Sequence, residues 1–219
     1  MLRNLNELLT EALYWVPALI IALSFHEYAH GKAADLLGDP TPRNQGRLTL
    51  NPLKHVDPIG LLMLILVKFG WAKPVQVNPL FFRGERRRGM LKVALAGPAT
   101  NFILALIAGI GLTICAELGR LGSGVFYHLF MFFVYLLIYN VNLGVFNLLP
   151  VPPLDGSKIL FNLLPPKYSG FLYEIERYGS LILLVLLITG LYRYFLEPVA
   201  GFLITSILYL ADLLVLPFF

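Results

Sequence analysis

The sequence predicts an all-α polytopic membrane protein, and its composition and the length of its apolar runs carry this prediction. Of the 219 residues, 58% are hydrophobic and 14% are charged, and the mean hydropathy is +0.73. A soluble domain is nearer half apolar and a quarter charged. The apolar residues form continuous runs instead of the alternating pattern of a membrane β-barrel, so we expect the spans to be helices.

Five apolar runs approach or exceed the roughly 20 residues that a helix needs to cross a bilayer. They lie at 12–37, 91–115, 125–148, 177–196 and 198–219. A shorter run at 59–70 predicts a re-entrant or half-spanning segment, which gives about five to six membrane helices in all.

The loops between the runs complete the predicted architecture. Residues 39–58 and 71–89 are rich in Pro, Gly, Asn and Arg, which is typical of loops. Within the second loop, 71–79 predicts a small extended edge. No soluble domain is visible, so we expect residues 1–219 to form one membrane-embedded domain. Its core would span about 12–165, with accessory helices at about 170–219.

The basic residues predict the orientation of the chain and argue against nucleic-acid binding. The net charge is +4, but the basic residues lie at the ends of apolar runs, as membrane topology requires. The densest cluster includes Arg83 and Lys92, so the loop at 83–89 is expected in the cytoplasm, and threading the chain onwards puts 157–170 on the same side. Cys115 is the only cysteine, which excludes an intrachain disulfide and a cysteine-based zinc site.

A candidate metal-binding motif lies in the first apolar run. Residues 26–30 read His-Glu-Tyr-Ala-His, an H-E-x-x-H pattern. Side chains four apart share one face of a helix, so His26 and His30 can present two imidazoles to one metal ion, and Glu27 can act as a general base. Ionisable residues inside an apolar helix are expensive and are functional by default.

A catalytic zinc site needs a third protein ligand, and Asp155 is the best candidate. His128 falls near the opposite, outer end of its apolar run, whereas the two motif histidines lie in the inner half of theirs. Asp155 follows the cytoplasmic end of the 125–148 run, at a depth where it could meet them. The proline-rich backbone before it cannot continue a helix and must be buried in protein or line a polar cavity.

The two motifs together resemble the site-2 protease family of intramembrane zinc metalloproteases. The family pairs H-E-x-x-H on one helix with N-x-x-P-x-x-x-L-D-G on another, and residues 147–156 match the second pattern at every specified position. The resemblance also takes in Asn51-Pro52 and the Gly97-Pro98 run, so it covers about residues 20 to 165. It is closest to compact prokaryotic members without a PDZ or CBS domain.

The resemblance implies both the site and the activity. His26, His30 and Asp155 would bind one zinc ion per chain, and Glu27 would be the general base. The substrate would be a transmembrane segment of another protein, cut within the bilayer. We would then expect an integral protein of the prokaryotic inner membrane, with its active site nearer the cytoplasmic side.

Three further residues are weaker candidates. Asn147 could donate to the oxyanion that forms when water attacks a peptide carbonyl, or it could be structural. Asn101 could make a similar contact, although the small residues around it favour helix packing. His55 lies in a proline-rich loop, where a supporting role near the metal is one of several interpretations.

Two other kinds of protein remain as alternatives. A membrane zinc protease acting on prenylated or soluble peptides would carry H-E-x-x-H, but its third ligand is typically a glutamate. A non-catalytic metal-binding or transport protein would line a path with polar residues on both sides of the membrane. Here the ionisable groups gather towards one side, which argues against such a path.

Overall fold

The computed structural model describes residues 5–60, 72–120 and 124–219, which are mostly helical. Its α-helices in these ranges are α1 Leu5–Leu36, α2 Thr41–Asn44, α3 Arg86–Gly119, α4 Gly124–Asn147, α5 Asp155–Leu163, α6 Ser169–Thr189 and α7 Arg193–Val215. Short 3₁₀ turns occur at Pro52–Lys54, Pro79–Phe81, Pro166–Tyr168 and Leu216–Phe218. The helical fold class is therefore confirmed.

Four of the described helical stretches are long and apolar enough to cross a membrane: Thr10–Leu36, Arg86–Gly119, Gly124–Asn147 and Arg193–Phe218. They correspond to four of the five predicted spans, and the helices extend past most of the predicted ends. The predicted re-entrant segment at 59–70 lies, from residue 61 onwards, outside the described residues.

The fifth predicted span, 177–196, is divided in the structure. Helix α6 ends at Thr189, and Gly190 follows with a φ of 71°, a left-handed conformation that glycine adopts without a Cβ penalty. Helix α7 then begins at Arg193 and continues through Pro198. The glycine, and not the proline, marks the boundary between the two helices.

The predicted extended edge at 71–79 is not a β-strand in the described part of the chain. Residues 73–78 have irregular backbone, and the β-type pairing recorded there is a single antiparallel bridge between Val56 and Ala72. Pro74 and Pro79 cannot donate to a ladder, which limits strand formation in this segment.

The core of the bundle lies where α1, α3, α4 and α7 meet. Helix α3 packs against each of the other three and also against α5. One buried cluster combines small side chains of α1, α3 and α7 with larger side chains, most of them from α4. The small ones are Ala18, Ala105, Ala108 and Ala200, and the larger ones are Leu136, Leu137, Val141, Val145 and Leu196. Small residues allow helix backbones to approach closely in a membrane bundle, and here they bring α1 and α3 together.

A buried carboxylate ties the end of α1 to the loop at 73–83. Asp39 is fully buried, and its two oxygens accept hydrogen bonds from the backbone N–H groups of Thr41 (2.9 Å) and Asn78 (2.7 Å). The N–H of Arg83 donates to the carbonyl of Leu37 at 2.7 Å. These contacts fix the loop against the end of α1 that carries the candidate motif.

Candidate metal centre

Three buried side chains converge at one end of the bundle. His26 and His30 extend from the second half of α1, and Asp155 is the first residue of α5. Oδ2 of Asp155 lies 3.2 Å from Nε2 of His26 and 2.9 Å from Nε2 of His30, and the two Nε2 atoms are 3.0 Å apart. The three residues are 4%, 7% and 4% exposed. The structure thus brings together the three ligands predicted from the sequence.

The hydrogen bonds at Nδ1 set the tautomer of both histidines. Nδ1 of His30 lies 2.7 Å from the main-chain carbonyl of Val93, which can only accept, so Nδ1 carries the proton. Nδ1 of His26 donates to Oδ1 of Asn101 at 2.6 Å. Each neutral imidazole therefore directs an unprotonated Nε2 towards the carboxylate.

This arrangement fits a metal ion. Two Nε2 lone pairs and a carboxylate oxygen face one another, and with these tautomers no proton lies between them. A divalent cation satisfies such a set of lone pairs, and two imidazoles with one carboxylate form a donor set that zinc accepts while leaving a coordination position open. Within the part of the chain that the structure describes, no second group of three or more ligand side chains of this kind occurs.

One face of α3 supports the two imidazoles. Val93, Gly97 and Asn101 are spaced four residues apart, so they lie in a row along that face. Val93 contacts His30 at one end of the row, and Asn101 contacts His26 at the other. Gly97 lies between them, where a Cβ atom would collide with both rings.

The turn before α5 orients Asp155. A Cβ atom on the next residue, Gly156, would collide with the main-chain carbonyl of Leu148, so glycine permits the turn to pack onto the end of α4. The second carboxylate oxygen of Asp155 lies 2.9 Å from Nζ of Lys158.

Glu27 lies at the edge of the cluster and contacts the loop at 73–78. Its Oε2 accepts a hydrogen bond from the backbone N–H of Val75 at 2.9 Å. The side chain is partly exposed, unlike the two histidines on either side of it. The carboxylate is therefore held by the loop without being buried.

The weaker candidates lie in different surroundings. The amide of Asn147 donates to the carbonyl of Leu143 on its own helix at 3.0 Å. His55 is fully buried, and its Nε2 lies 2.6 Å from the carbonyl of Thr49, within its own loop. His128, which the depth argument set aside, has its Nδ1 2.6 Å from the hydroxyl of Tyr14 and does not join the metal-ligand group.

Asn101 is already fully hydrogen-bonded. Its oxygen accepts from His26, and its Nδ2 donates to the carbonyl of Ala22 at 3.2 Å and to Oδ1 of Asn140 at 2.8 Å. Neither donor is left for an oxyanion, so the structure favours a supporting role for this residue over a substrate contact.

Sequence reasoning missed three contributors to the site. The carbonyl of Val93 has no side-chain signature, so no motif could reveal it. Lys158 lies in the 157–170 segment, where its charge indicates only topology, although its spacing of three residues from Asp155 allows a contact on a helix. Asn140 is a polar residue in an apolar helix, which predicts a hydrogen bond to a neighbouring helix, but the sequence does not identify Asn101 as its partner.

Comparison with known proteins agrees with this geometry. The profile of Peptidase family M50 matches residues 14–189. A Bacillus subtilis protein named "Putative zinc metalloprotease YwhC" is 42% identical over 186 residues, covering 84% of this chain and 84% of that protein. A Mycolicibacterium smegmatis protein named "Putative zinc metalloprotease Rip2" is 36% identical over 187 residues, covering 84% of this chain and 70% of that protein.

A more distant relative is the "Zinc metalloprotease MJ0392" of Methanocaldococcus jannaschii, which is 32% identical over 108 residues, or 48% of this chain and 29% of that protein. No solved structure matches the chain. The family profile covers most of the chain and includes all three converging side chains. The chain therefore belongs to peptidase family M50, the site-2 protease family indicated by its two motifs, and it is a metalloendopeptidase.

Proposed function

We propose that this protein is an intramembrane zinc metalloprotease that hydrolyses peptide bonds within transmembrane segments of other proteins. The observation that carries the proposal is the convergence of His26, His30 and Asp155 inside a bundle of apolar helices, beside Glu27. His26 and His30 lie on a candidate membrane-spanning helix, and a protease with ligands at that depth can meet substrates within the bilayer. Regulated release of a membrane-bound protein is the corresponding biological role.

Zinc is the cofactor, and these three side chains would hold one ion per chain. Bound zinc supplies Lewis-acid polarisation of a peptide carbonyl and makes a nucleophile available at neutral pH. The imidazoles would bind through Nε2, because Nδ1 of each ring donates elsewhere. The carboxylate would bind through Oδ2, because Lys158 holds the other oxygen.

Glu27 is the proposed general base. It follows the first histidine directly, and its carboxylate is partly exposed and can receive a proton. The hydrogen bond from the backbone of Val75 restrains one carboxylate oxygen, which leaves Oε1 to accept the proton of the attacking water. The same carboxylic acid can then deliver that proton to the leaving amine.

The cytoplasmic end of the bundle is the proposed location of the site in the inner cell membrane. The metal ligands lie in the second half of α1 and at the start of α5, beside the first half of α3 and next to the end of α4. The arginines from Arg83 to Arg88 begin or precede α3, and such clusters face the cytoplasm. A substrate transmembrane helix would reach the site from the lipid.

The segment 73–78 is the proposed contact for an unwound substrate. A substrate helix must lose internal hydrogen bonds before a carbonyl can be attacked, and main-chain groups of a neighbouring segment can replace them. The contact between Val75 and Glu27 supports this role, because it puts the segment beside the proposed base. Asn147 stays a proposed oxyanion or substrate contact. Its NH₂ group carries two hydrogens, and the recorded bond to Leu143 uses one of them.

A substitution of Glu27 tests the proposed activity. Glu27→Gln removes the base while keeping the shape of the side chain, so the purified protein should retain zinc and lose cleavage of a transmembrane reporter substrate. Glu117→Gln, on a residue paired with Arg120 at the other end of α3, is the control and should cleave normally. Undiminished turnover by Glu27→Gln would exclude the base role. The inactive variant can also trap natural substrates for identification.

A further inference from the structure

Two asparagines form a hydrogen-bonded pair behind the metal centre. Asn101 on α3 and Asn140 on α4 are both completely buried, at 0% exposure. Nδ2 of Asn101 donates to Oδ1 of Asn140 at 2.8 Å, and Oδ1 of Asn101 accepts from Nδ1 of His26 at 2.6 Å. A continuous chain of hydrogen bonds therefore leads from α4 through α3 to one proposed zinc ligand.

Two main-chain carbonyls fix the orientation of both amides. The carbonyl of Leu136 accepts from Nδ2 of Asn140 at 2.8 Å, so the oxygen of that amide faces α3. The carbonyl of Ala22 lies 3.2 Å from Nδ2 of Asn101, and it too can only accept. Each amide nitrogen faces acceptors, so the oxygen of Asn101 is the atom that meets His26.

The two histidines differ in how their tautomers are held. Nδ1 of His30 donates to the backbone of Val93, an acceptor that no side-chain change removes. The tautomer of His26 depends instead on the side-chain amide of Asn101, which could present either its oxygen or its nitrogen to Nδ1 if it were free to turn. A turned amide would direct N–H groups at His26 and would favour the tautomer whose proton is on Nε2, the atom that faces Asp155.

We propose that Asn140 is a positioning residue of the metal centre, which acts through Asn101 to keep the Nε2 lone pair of His26 directed at zinc. The inference rests on the proposed zinc site and extends it to α4, which supplies none of the three ligands. Partners of this kind typically change metal affinity by about 10- to 100-fold.

Asn140→Leu in the purified full-length protein tests the proposal. Zinc affinity is measured by competition with a chelator, and Co²⁺ absorption reports the ligand geometry. We expect zinc binding to weaken by roughly tenfold or more, with an altered Co²⁺ spectrum. Asn142→Leu is the matched control, because Asn142 lies on the same helix and its amide donates to Ile138 of that helix. It should bind zinc as the wild type does.

Asn140→Asp is the conservative variant. Its carboxyl, protonated in this apolar surrounding, keeps an oxygen that accepts from Asn101 and a hydroxyl that can donate to Leu136. It should therefore bind zinc much more tightly than Asn140→Leu does. If Asn140→Leu does not fold, Asn140→Ala removes the same oxygen with a smaller side chain.

A second substitution separates positioning from a general effect on folding. In Asn101→Asp the carboxylate is ionised, because it contacts the imidazole of His26 directly, as carboxylates do in carboxylate–histidine–zinc triads. Both of its oxygens can then accept from Nδ1 of His26, so the orientation of residue 101 no longer matters. Adding Asn140→Leu to Asn101→Asp should then leave zinc affinity unchanged. An equal loss in both backgrounds, or no loss in the wild-type background, overturns the proposal. Failure of the wild-type protein to bind zinc would instead overturn the proposed function.

Discussion

A Cβ atom on Gly97 would lie 2.5 Å from Nε2 of His30, so the two helices that carry these residues approach as closely as a glycine allows. The same atom would lie 2.6 Å from Cε1 of His26. Gly97 thus makes room for both imidazoles at once, and its side-chain position is filled by the metal-binding pair.

Gly97→Ala should disrupt zinc binding. The added methyl group meets two buried rings with no room to move, and overpacking of this kind costs typically 1–3 kcal/mol. We expect weaker zinc affinity and a lower thermal stability, measured by chelator competition and by a melting curve in detergent. Gly201→Ala is the control, because a Cβ atom there meets nothing within 4 Å. Normal zinc affinity in Gly97→Ala would contradict the close packing.

Asp155→Ala should abolish tight zinc binding. It removes one of three ligands, so the loss should exceed the roughly 10- to 100-fold typical of a supporting residue. Metal analysis of the purified protein gives the measurement. Asp212→Ala removes a carboxylate that contacts Thr113 in the half of α3 remote from the site and serves as the control. Full zinc affinity after the loss of Asp155 would show that the third ligand lies elsewhere.

Arg87→Ala should loosen α5. The guanidinium of Arg87 donates to the carbonyl of Asn162 at 2.6 Å and to that of Leu164, so it holds the end of the helix that begins at Asp155. Hydrogen bonds to charged groups contribute about 1.5–3 kcal/mol, and we expect a loss of that order in the free energy of unfolding.

A substitution of the neighbouring Arg88 is the control for Arg87→Ala. Arg88→Ala should be nearly neutral, because Arg88 pairs with Glu85 at the exposed surface. Equal stability of the two variants, measured by thermal or denaturant unfolding, would show that Arg87 does not anchor α5. The zinc affinity of Arg87→Ala, measured in addition to its stability, shows whether the change in α5 also displaces Asp155.

Reporter tags in the segments 83–89 and 157–170, which include the start of α3 and most of α5, should map to the cytoplasm. The prediction rests on the arginines before and at the start of α3 and on the positive-inside rule. A tag between α3 and α4 should report the opposite side. A periplasmic signal from either of the first two segments would reverse the proposed orientation of the active site.

A cysteine at residue 76, labelled with a thiol-reactive photo-cross-linker, should form cross-links with a bound substrate on illumination. Gln76 is exposed and follows Val75, whose backbone contacts Glu27. Cys115 is the only native cysteine, so Gln76→Cys in a Cys115→Ala, Glu27→Gln background gives one reactive thiol. Tyr194→Cys, exposed on α7, is the control. Cross-linking at residue 194 but not at 76 would move the substrate contact away from the 73–78 segment.

The sequence by itself determined the helical membrane class and the motifs that define the family. Continuous apolar runs are a local property, and the spacing of His26 and His30 fixes their common face on any helix. Helix ends were less predictable. Gly190, which has a left-handed backbone conformation, ends α6 inside the apolar run 177–196. Pro198, in contrast, lies within α7 and does not interrupt that helix.

Tertiary structure alone decided how the site is supported. The contacts of Asn101 with His26 and Asn140, and of Val93 with His30, join residues on different helices, and one of the groups involved is a main-chain carbonyl. Such contacts depend on how helices pack, which no local pattern encodes. The sequence predicts His26, His30 and Asp155 as the ligands, and the packing of α3 against α1 and α4 decides which nitrogen atom each histidine presents.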